Sequence, residues 1–162
     1  ALSITDALTG IHNRRYFHYR LKAEMVRLNR TSGALSVIML DIDHFKRIND
    51  QHGHAVGDGV LQELCKRISQ RLRRTDVFCR LGGEEFMVLC PGTNAQQALI
   101  LAQELWQGLR SSPIEPVGSV TASFGIASWR EGEGADGLLL RADSGVYAAK
   151  QAGRDRVQPE LP

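Results

Sequence analysis

Hydrophobic positions in this chain follow two periods, and their alternation predicts helices interleaved with strands. Phe17, Leu21, Met25 and Leu28 would line one face of a first helix. Val56, Val60, Leu64, Ile68 and Leu72 line a second. Ala98, Leu101, Leu105 and Leu109 line a third, for which Asn94 is a suitable N-cap, and Leu139, Ala142, Val146 and Ala149 a fourth. Between the helices lie apolar runs of strand length. Leu35–Leu40 is apolar but for Ser36, as expected of a central, buried strand. Further strands are predicted up to Leu81, over Phe86–Cys90 and over Val120–Ala127. Gly82-Gly83 reads as a tight hairpin turn, which requires an antiparallel pair. The expected architecture is α+β, with helices packed on a mainly antiparallel central sheet.

The polar residues that interrupt this pattern carry the chemistry. Glu84 and Glu85 stand at the mouth of the glycine turn, where like charges repel and neither residue favours a strand. A positive ion there would account for them. Successive strand residues point to opposite faces, so one glutamate is expected to ligate directly. Glu84 is assigned that place, with Glu85 supporting it or meeting a second ion. The apolar run Leu35–Leu40 ends in Asp41-Ile42-Asp43. A carboxylate there, joined to the glutamates, gives the hard oxygen donors that Mg²⁺ takes while it also holds phosphate oxygens. The turn that follows, through Phe45 and Lys46, can aim backbone N–H groups and a lysine at a triphosphate. The combination points to phosphoryl or nucleotidyl transfer.

These segments resemble a known family. Gly82-Gly83-Glu84-Glu85-Phe86 is similar to the signature of GGDEF-domain diguanylate cyclases, with Glu in the third place. Asp6-Ala7-Leu8-Thr9-Gly10 and Asn13-Arg14-Arg15 resemble the opening of that domain. Asp41-Ile42-Asp43-His44-Phe45-Lys46 with Asn49-Asp50, Gly53-His54-Ala55-Val56-Gly57-Asp58, and Ala149-Lys150 with Gly153-Arg154 resemble its later motifs. The resemblance implies a ferredoxin-like core shared with nucleotide cyclases and polymerase palms. It implies condensation of two GTP molecules into cyclic di-3′,5′-guanylate, with Mg²⁺ or Mn²⁺ as cofactor. Each domain holds one GTP, so a second copy of the domain must face the first as an antiparallel pair.

The family's site residues carry over onto matching positions. The metal would be held by the Asp41 carboxylate, the Ile42 carbonyl oxygen and Glu84. Glu84, with Glu85 and Lys46, would serve the chemical step: Glu84 to help deprotonate the attacking 3′-hydroxyl, Lys46 to neutralise the transition state. Asn49 and Asp58 would read guanine, with His54 assisting and Gly82 and Gly83 letting the nucleotide come close. Phe45, Lys46, Lys150 and Arg154 would meet phosphate. Asp155 stands where Asn is more usual. Arg73-Arg74-Thr75-Asp76 resembles the R-x-x-D inhibitory site, where Arg73 and Asp76 would bind cyclic di-GMP as feedback inhibitor. The helix that follows carries Gln103-Glu104 where an arginine often completes that site from a neighbouring copy.

Composition narrows the remaining possibilities. The 162 residues, 43% of them apolar, are expected to form a single domain over 1–162, with 1–14 as a linker and motif segment. The net charge of +2 gives no argument for nucleic acid as a partner. No apolar run approaches a membrane span and no signal peptide is recognisable. A cytoplasmic catalytic domain is expected, excised from a longer protein, soluble or membrane-anchored, that carries an upstream sensory domain. Cys65, Cys79 and Cys90 lack ligand spacing and read as buried reduced thiols, and His12, His18 and His52 as exposed or loop residues. The alternative to an enzyme is a catalytically silent module that receives cyclic di-GMP or GTP. Such a module is expected to have lost Asp41, Glu84, Glu85 or Lys46, and this chain retains all of them.

Overall fold

Eight consecutive buried residues, Leu35–Ile42, form the strand on which the sheet is built. In the computed structural model, which describes residues 2–31 and 33–160, the elements in chain order are β1 (His12–Asn13), α1 (Arg14–Arg30), β2 (Leu35–Ile42), α2 (Phe45–His52), α3 (His54–Ser69), β3 (Val77–Gly82), β4 (Glu85–Pro91), α4 (Ala95–Arg110), β5 (Ala122–Ser128), α5 (Ala135–Gln151) and β6 (Arg156–Gln158). Among the described residues the strands make one sheet in the order β1-β3-β4-β2-β5-β6. The inner pairings β3·β4, β4·β2 and β2·β5 are antiparallel. The edges β1·β3 and β5·β6 are parallel. The βαββαβ run from β2 to β5, with spatial order β3-β4-β2-β5, is the expected ferredoxin-like core.

Alternation along β2 sorts the side chains into two cores. Ile38, Leu40 and Ile42 face the layer of α2, α3 and α4. Leu35, Val37 and Met39 face α1 and α5. Both faces are covered, which is why this strand reads as a nearly continuous apolar run, broken by Ser36 and Asp41. Asp41 continues the second row, so its side chain leaves the sheet on the α1/α5 side.

Several boundaries differ from the sequence reading. The short edge strands β1 and β6 escaped it, because two- and three-residue strands leave no periodic signal. His12 and Asn13, expected within a linker and motif segment, make the β1 edge. The segment after β2 forms two helices, α2 and α3, split at Gly53 with φ +90°, a left-handed value. The Asn94 cap is present and doubled: its side chain accepts from the Gln97 N–H while Gln97 accepts from the Asn94 N–H. Cys65, Cys79 and Cys90 are free and buried, and burial pushes the Cys65 and Cys79 thiols up to about 12.

α5 lies unusually close to the sheet, and this closeness carries Lys150 to the end of β2. A Cβ on Gly125 of β5 would stand 2.3 Å from the Ala142 carbonyl oxygen and 2.4 Å from the Val146 nitrogen. A Cβ on Gly145 of α5 would stand 2.9 Å from the Gly125 Cα. Backbone atoms cannot swing aside as a side chain can, so a methyl group at either position forces the helix off the strand. Gly125→Ala is therefore expected to destabilise the protein by about 2 kcal/mol or more, the upper range for overpacking, read as a lowered urea midpoint with an unchanged slope.

Candidate active site

Asp41 stands directly opposite Glu85 on β4 and Ser123 on β5. It is 7% exposed, and its Oδ2 receives an ion pair from Lys150 Nζ at the C-terminal end of α5. Its Oδ1 is buried with no partner among the described residues. Burial raises the Asp41 pKa; the Lys150 hydrogen bond and charge oppose the rise and the charges of Glu84 and Glu85 add to it, leaving the carboxyl at about 6. Like charges placed opposite each other on one face of a sheet destabilise it. A hard cation seated against Oδ1 would relieve both the orphaned oxygen and the repulsion. The residues present therefore fit a divalent cation, although no cluster of three or more His, Cys, Asp or Glu side chains occurs among the described residues. The donors at this end of the strand are the Asp41 carboxylate, the Ile42 carbonyl oxygen and the two glutamates.

The glycine turn is corrected by one residue. Gly82 pairs with Glu85, after a register shift between Arg80 and Gly82, so the two turn residues are Gly83 and Glu84. Gly83 has φ +48°, the left-handed value that favours glycine. Glu84 thus lies in the turn, and the argument that Glu84 and Glu85 are successive strand residues on opposite faces fails. The Glu84 carbonyl instead accepts from the Ile42 N–H at 3.3 Å, which ties the turn to the end of β2. Glu85, the first residue of β4, shares the face of Asp41. Both glutamates therefore lie beside Asp41.

Arginines brace the turn from below. Arg80 Nε donates to the Gly83 carbonyl at 2.9 Å, Arg14 Nε donates to the Leu81 carbonyl at 3.0 Å, and Arg80 pairs with Asp6 at 3.3 Å. Asp6 also accepts from Thr9 N–H and Oγ1 at 3.0 and 2.6 Å. Burial opposes the Asp6 charge, but these bonds prevail and hold its carboxyl below the ordinary range. The opening motif is thereby explained: it anchors the turn. His12 is corrected too. It lies on β1, stacked on Tyr16 with ring centroids 4.0 Å apart, and burial lowers its pKa.

On the other side of the strand end, α2 begins at Phe45 after His44, whose φ of +56° reverses the chain. The helix has no side-chain cap at its N-terminus. The N–H groups of its first turn therefore lack helical partners and point outward. The Phe45 ring is buried in the core, so its contribution to a phosphate site is restricted to its backbone. Lys46 is exposed and pairs with Asp50 at 3.2 Å. Asn49 packs against α3: a Cβ on Gly57 would come 1.8 Å from Asn49 Oδ1, an oxygen that is buried and has no partner among the described residues. Gly57 thus makes room for Asn49, a role that sequence reasoning missed although the residue lies inside a recognised motif. Asp58 is exposed on α3, and His54, its first residue, is exposed as well.

Asp43 closes the network. It is buried, and its oxygens accept from Thr121 Oγ1 at 2.7 Å, Ser123 Oγ at 2.6 Å and the Asp155 N–H at 2.9 Å. The Asp155 carboxylate in turn accepts from Trp106 Nε1 and Arg110 on α4. Arg154 sits between these anchors with φ +63°, and its guanidinium has no partner among the described residues. Arg73 and Asp76 lie apart from this site, beyond the end of α3. Asp76 has a fully buried side chain and accepts from the Arg73 N–H, Nε and Nη2, while Nη2 also reaches Thr93 Oγ1 at 2.8 Å. The two residues are paired with each other beside a cavity of about 370 Å³ that is also lined by Gly10, Leu72 and Arg74. Gln103 and Glu104 are exposed on α4.

Residues 3–156 match the family described as diguanylate cyclase, GGDEF domain. The chain is similar to the diguanylate cyclase DgcP of Pseudomonas aeruginosa, 42% identical over 160 residues, covering 96% of this chain and 24% of that protein. It spans between about a quarter and a half of the length of the curated relatives it matches. Among solved structures it resembles the GGDEF domain of DgcB from Caulobacter crescentus in complex with c-di-GMP, with TM-score 0.94, 30% identity, 98% of this chain and 96% of that one. It also resembles the active GGEEF domain of a diguanylate cyclase from Vibrio cholerae, with TM-score 0.87, 33% identity, 93% of this chain and 98% of that one.

The raised Asp41 carboxyl gives a pH signature for the metal-free protein. Folding lifts this group from 3.8 to about 6, so between those values the folded state keeps a proton that the unfolded state releases. Stability therefore falls as pH rises through that window, by about 3 kcal/mol for this group taken alone. Melting scans in chelator from pH 4 to 7 are expected to show the decline, and Asp41→Asn to flatten it.

Proposed function

This chain belongs to the family of diguanylate cyclase GGDEF domains, and from that membership we propose that it condenses two GTP molecules into cyclic di-3′,5′-guanylate and two pyrophosphates. The observation that carries the reading is the buried Asp41 carboxylate, with one oxygen on Lys150, the other unpartnered, and two glutamates crowded against it. No purely structural role accounts for three acids gathered at a strand end around a single lysine.

Asp41, Glu84 and the Ile42 carbonyl would hold Mg²⁺ or Mn²⁺. A bound divalent cation supplies Lewis-acid neutralisation and orientation of the triphosphate oxygens. The open N–H groups at the start of α2 receive phosphate, with Phe45 contributing its backbone. Lys150 turns from Asp41 to the phosphates once the carboxylate is otherwise neutralised, and Arg154 and Lys46 add positive charge where pyrophosphate departs. Asn49 Oδ1, orphaned in the free protein, accepts a guanine N–H, and Asp58 accepts another. Adenine presents no matching donor pair and leaves both unsatisfied. Glu84 assists removal of the 3′-hydroxyl proton, with Glu85 beside it. Gly82 and Gly83 leave the turn open to the nucleotide, and His54 stands at the guanine end.

A single domain binds one nucleotide, so each 3′-hydroxyl must attack the α-phosphate held by a facing copy. Turnover therefore requires a homodimer, brought together in the full protein by an upstream sensory segment. Feedback operates at Arg73 and Asp76. The Arg73 side chain, half exposed, swings from Asp76 to stack on a guanine of the product, and the uncovered carboxylate accepts from its edge.

Incubating the purified domain with GTP and Mg²⁺ is expected to yield a cyclic dinucleotide and pyrophosphate, resolved by liquid chromatography and mass spectrometry. ATP should give none. Glu84→Gln is expected to lower turnover by about a hundredfold or more, in the range for loss of a proton-transfer group. Binding of GTP without any cyclic product, even with the domains fused as dimers, would establish a receptor instead. Arg73→Ala is expected to raise the cyclic di-GMP concentration for half-inhibition at least about tenfold, in line with loss of a charged hydrogen-bonding partner.

A further inference from the structure

Asp155 departs from the residue more usual at its place, and its surroundings give the departure a purpose. Gly153, Arg154 and Asp155 have φ of +119°, +63° and +46°, three successive left-handed residues. Two of them carry side chains, and side chains rarely adopt this conformation unless the surroundings impose it. The restraints are visible at both ends. On one side the Asp155 N–H donates to Asp43 Oδ2 at 2.9 Å, two residues beyond Asp41 on the same chain. On the other, Asp155 Oδ1 accepts from Trp106 Nε1 at 2.8 Å, and Oδ2 accepts from Arg110 Nη2 at 2.8 Å. The Arg110 guanidinium also lies over the Trp106 ring, 4.8 Å from its centroid. The Arg154 N–H donates back to the Ala149 carbonyl at 2.9 Å, next to Lys150.

We propose that Asp155 is a positioning residue for the nucleotide triphosphate: clamped by Trp106 and Arg110 of α4, it holds the left-handed turn that fixes Arg154 beside the Asp41–Asp43 strand end. Asp155 does not touch the nucleotide; it acts through Arg154. The fixed turn spares binding the cost of ordering the backbone that carries Arg154, a gain of preorganisation. The carboxylate departs from the usual amide because Arg110 is present to pair with it. This inference rests on the GTP-binding reading above.

The test is a double-mutant cycle on the intact chain, with affinity for a non-hydrolysable GTP analogue in Mg²⁺ measured by calorimetry. Arg154→Ala is expected to weaken binding about tenfold, the value of one charged phosphate contact. Asp155→Ala should weaken it by a similar factor, yet add almost nothing on the Arg154→Ala background, because coupled residues are non-additive. Asp155→Asn keeps an acceptor for Trp106 and tolerates the left-handed backbone, so most of the affinity should return. Trp106→Phe should give a smaller loss in the same direction, and serves if Asp155→Ala fails to fold. If Asp155→Ala weakens binding equally on both backgrounds, or leaves it unchanged while Arg154→Ala weakens it, the positioning role is overturned and the proposed activity stands. If neither variant weakens binding, the phosphate role of Arg154 falls and this inference with it.

Discussion

A carboxylate buried at the end of a central strand is the constraint around which this domain is arranged. The Asp41 charge could be relieved in two ways, by protonation or by neutralisation with a cation. Burial and the neighbouring glutamates push it toward the first, and Lys150 supplies the second in the free protein. On the proposed reading, the site's groups are poorly satisfied until a divalent ion and a polyanion arrive together. On that reading, unfavourable electrostatics in the empty state would give the loaded state its advantage, since ligands that relieve strain at a site shift its equilibrium toward the bound form.

The scaffold serves this constraint from three directions. The glycine contact between β5 and α5 brings the helix low enough for Lys150 to reach the strand. The hairpin turn is tied to β2 through the Glu84 carbonyl and held from behind by Arg14 and by Arg80, which is itself anchored through Asp6. Asp43 gathers Thr121, Ser123 and the backbone of Asp155, fixing the segment after α5 against the same strand end. Each support comes from a distant part of the chain. That explains why the recognisable motifs are scattered from the first residues to the last.

The sequence made the α+β class, the central strand and the identity of the acidic set legible, because apolar runs and glycine-flanked acids leave local signals. Asp41, Glu84, Glu85 and Lys150 do meet at one strand end. The turn was misplaced by one residue because a bulge before Gly82 changes the register, and register shifts have no signature in composition. The parallel edge strands were too short to register. Gly57 and Gly125 were visible as glycines but silent as contacts; Gly125, a glycine inside an apolar strand run, was the detectable one, since such a residue often marks close backbone approach. The Asp155 clamp joins residues some fifty positions apart, Trp106 with Asp155, and no pattern in one sequence predicts it. Arg73 and Asp76 were recognisable as a pair, but not that each would occupy the other in the free protein.

The central claim is that the orphaned oxygen of Asp41 is a cation site shared with a nucleotide triphosphate. Crystals grown with Mn²⁺ and a non-hydrolysable GTP analogue test it directly, through the anomalous signal of manganese. The account predicts a peak within bonding distance of Asp41 Oδ1 and a Glu84 oxygen, with Lys150 released from Asp41 onto phosphate. An analogue bound elsewhere, or bound here with Lys150 still on Asp41 and no manganese peak beside it, would contradict it.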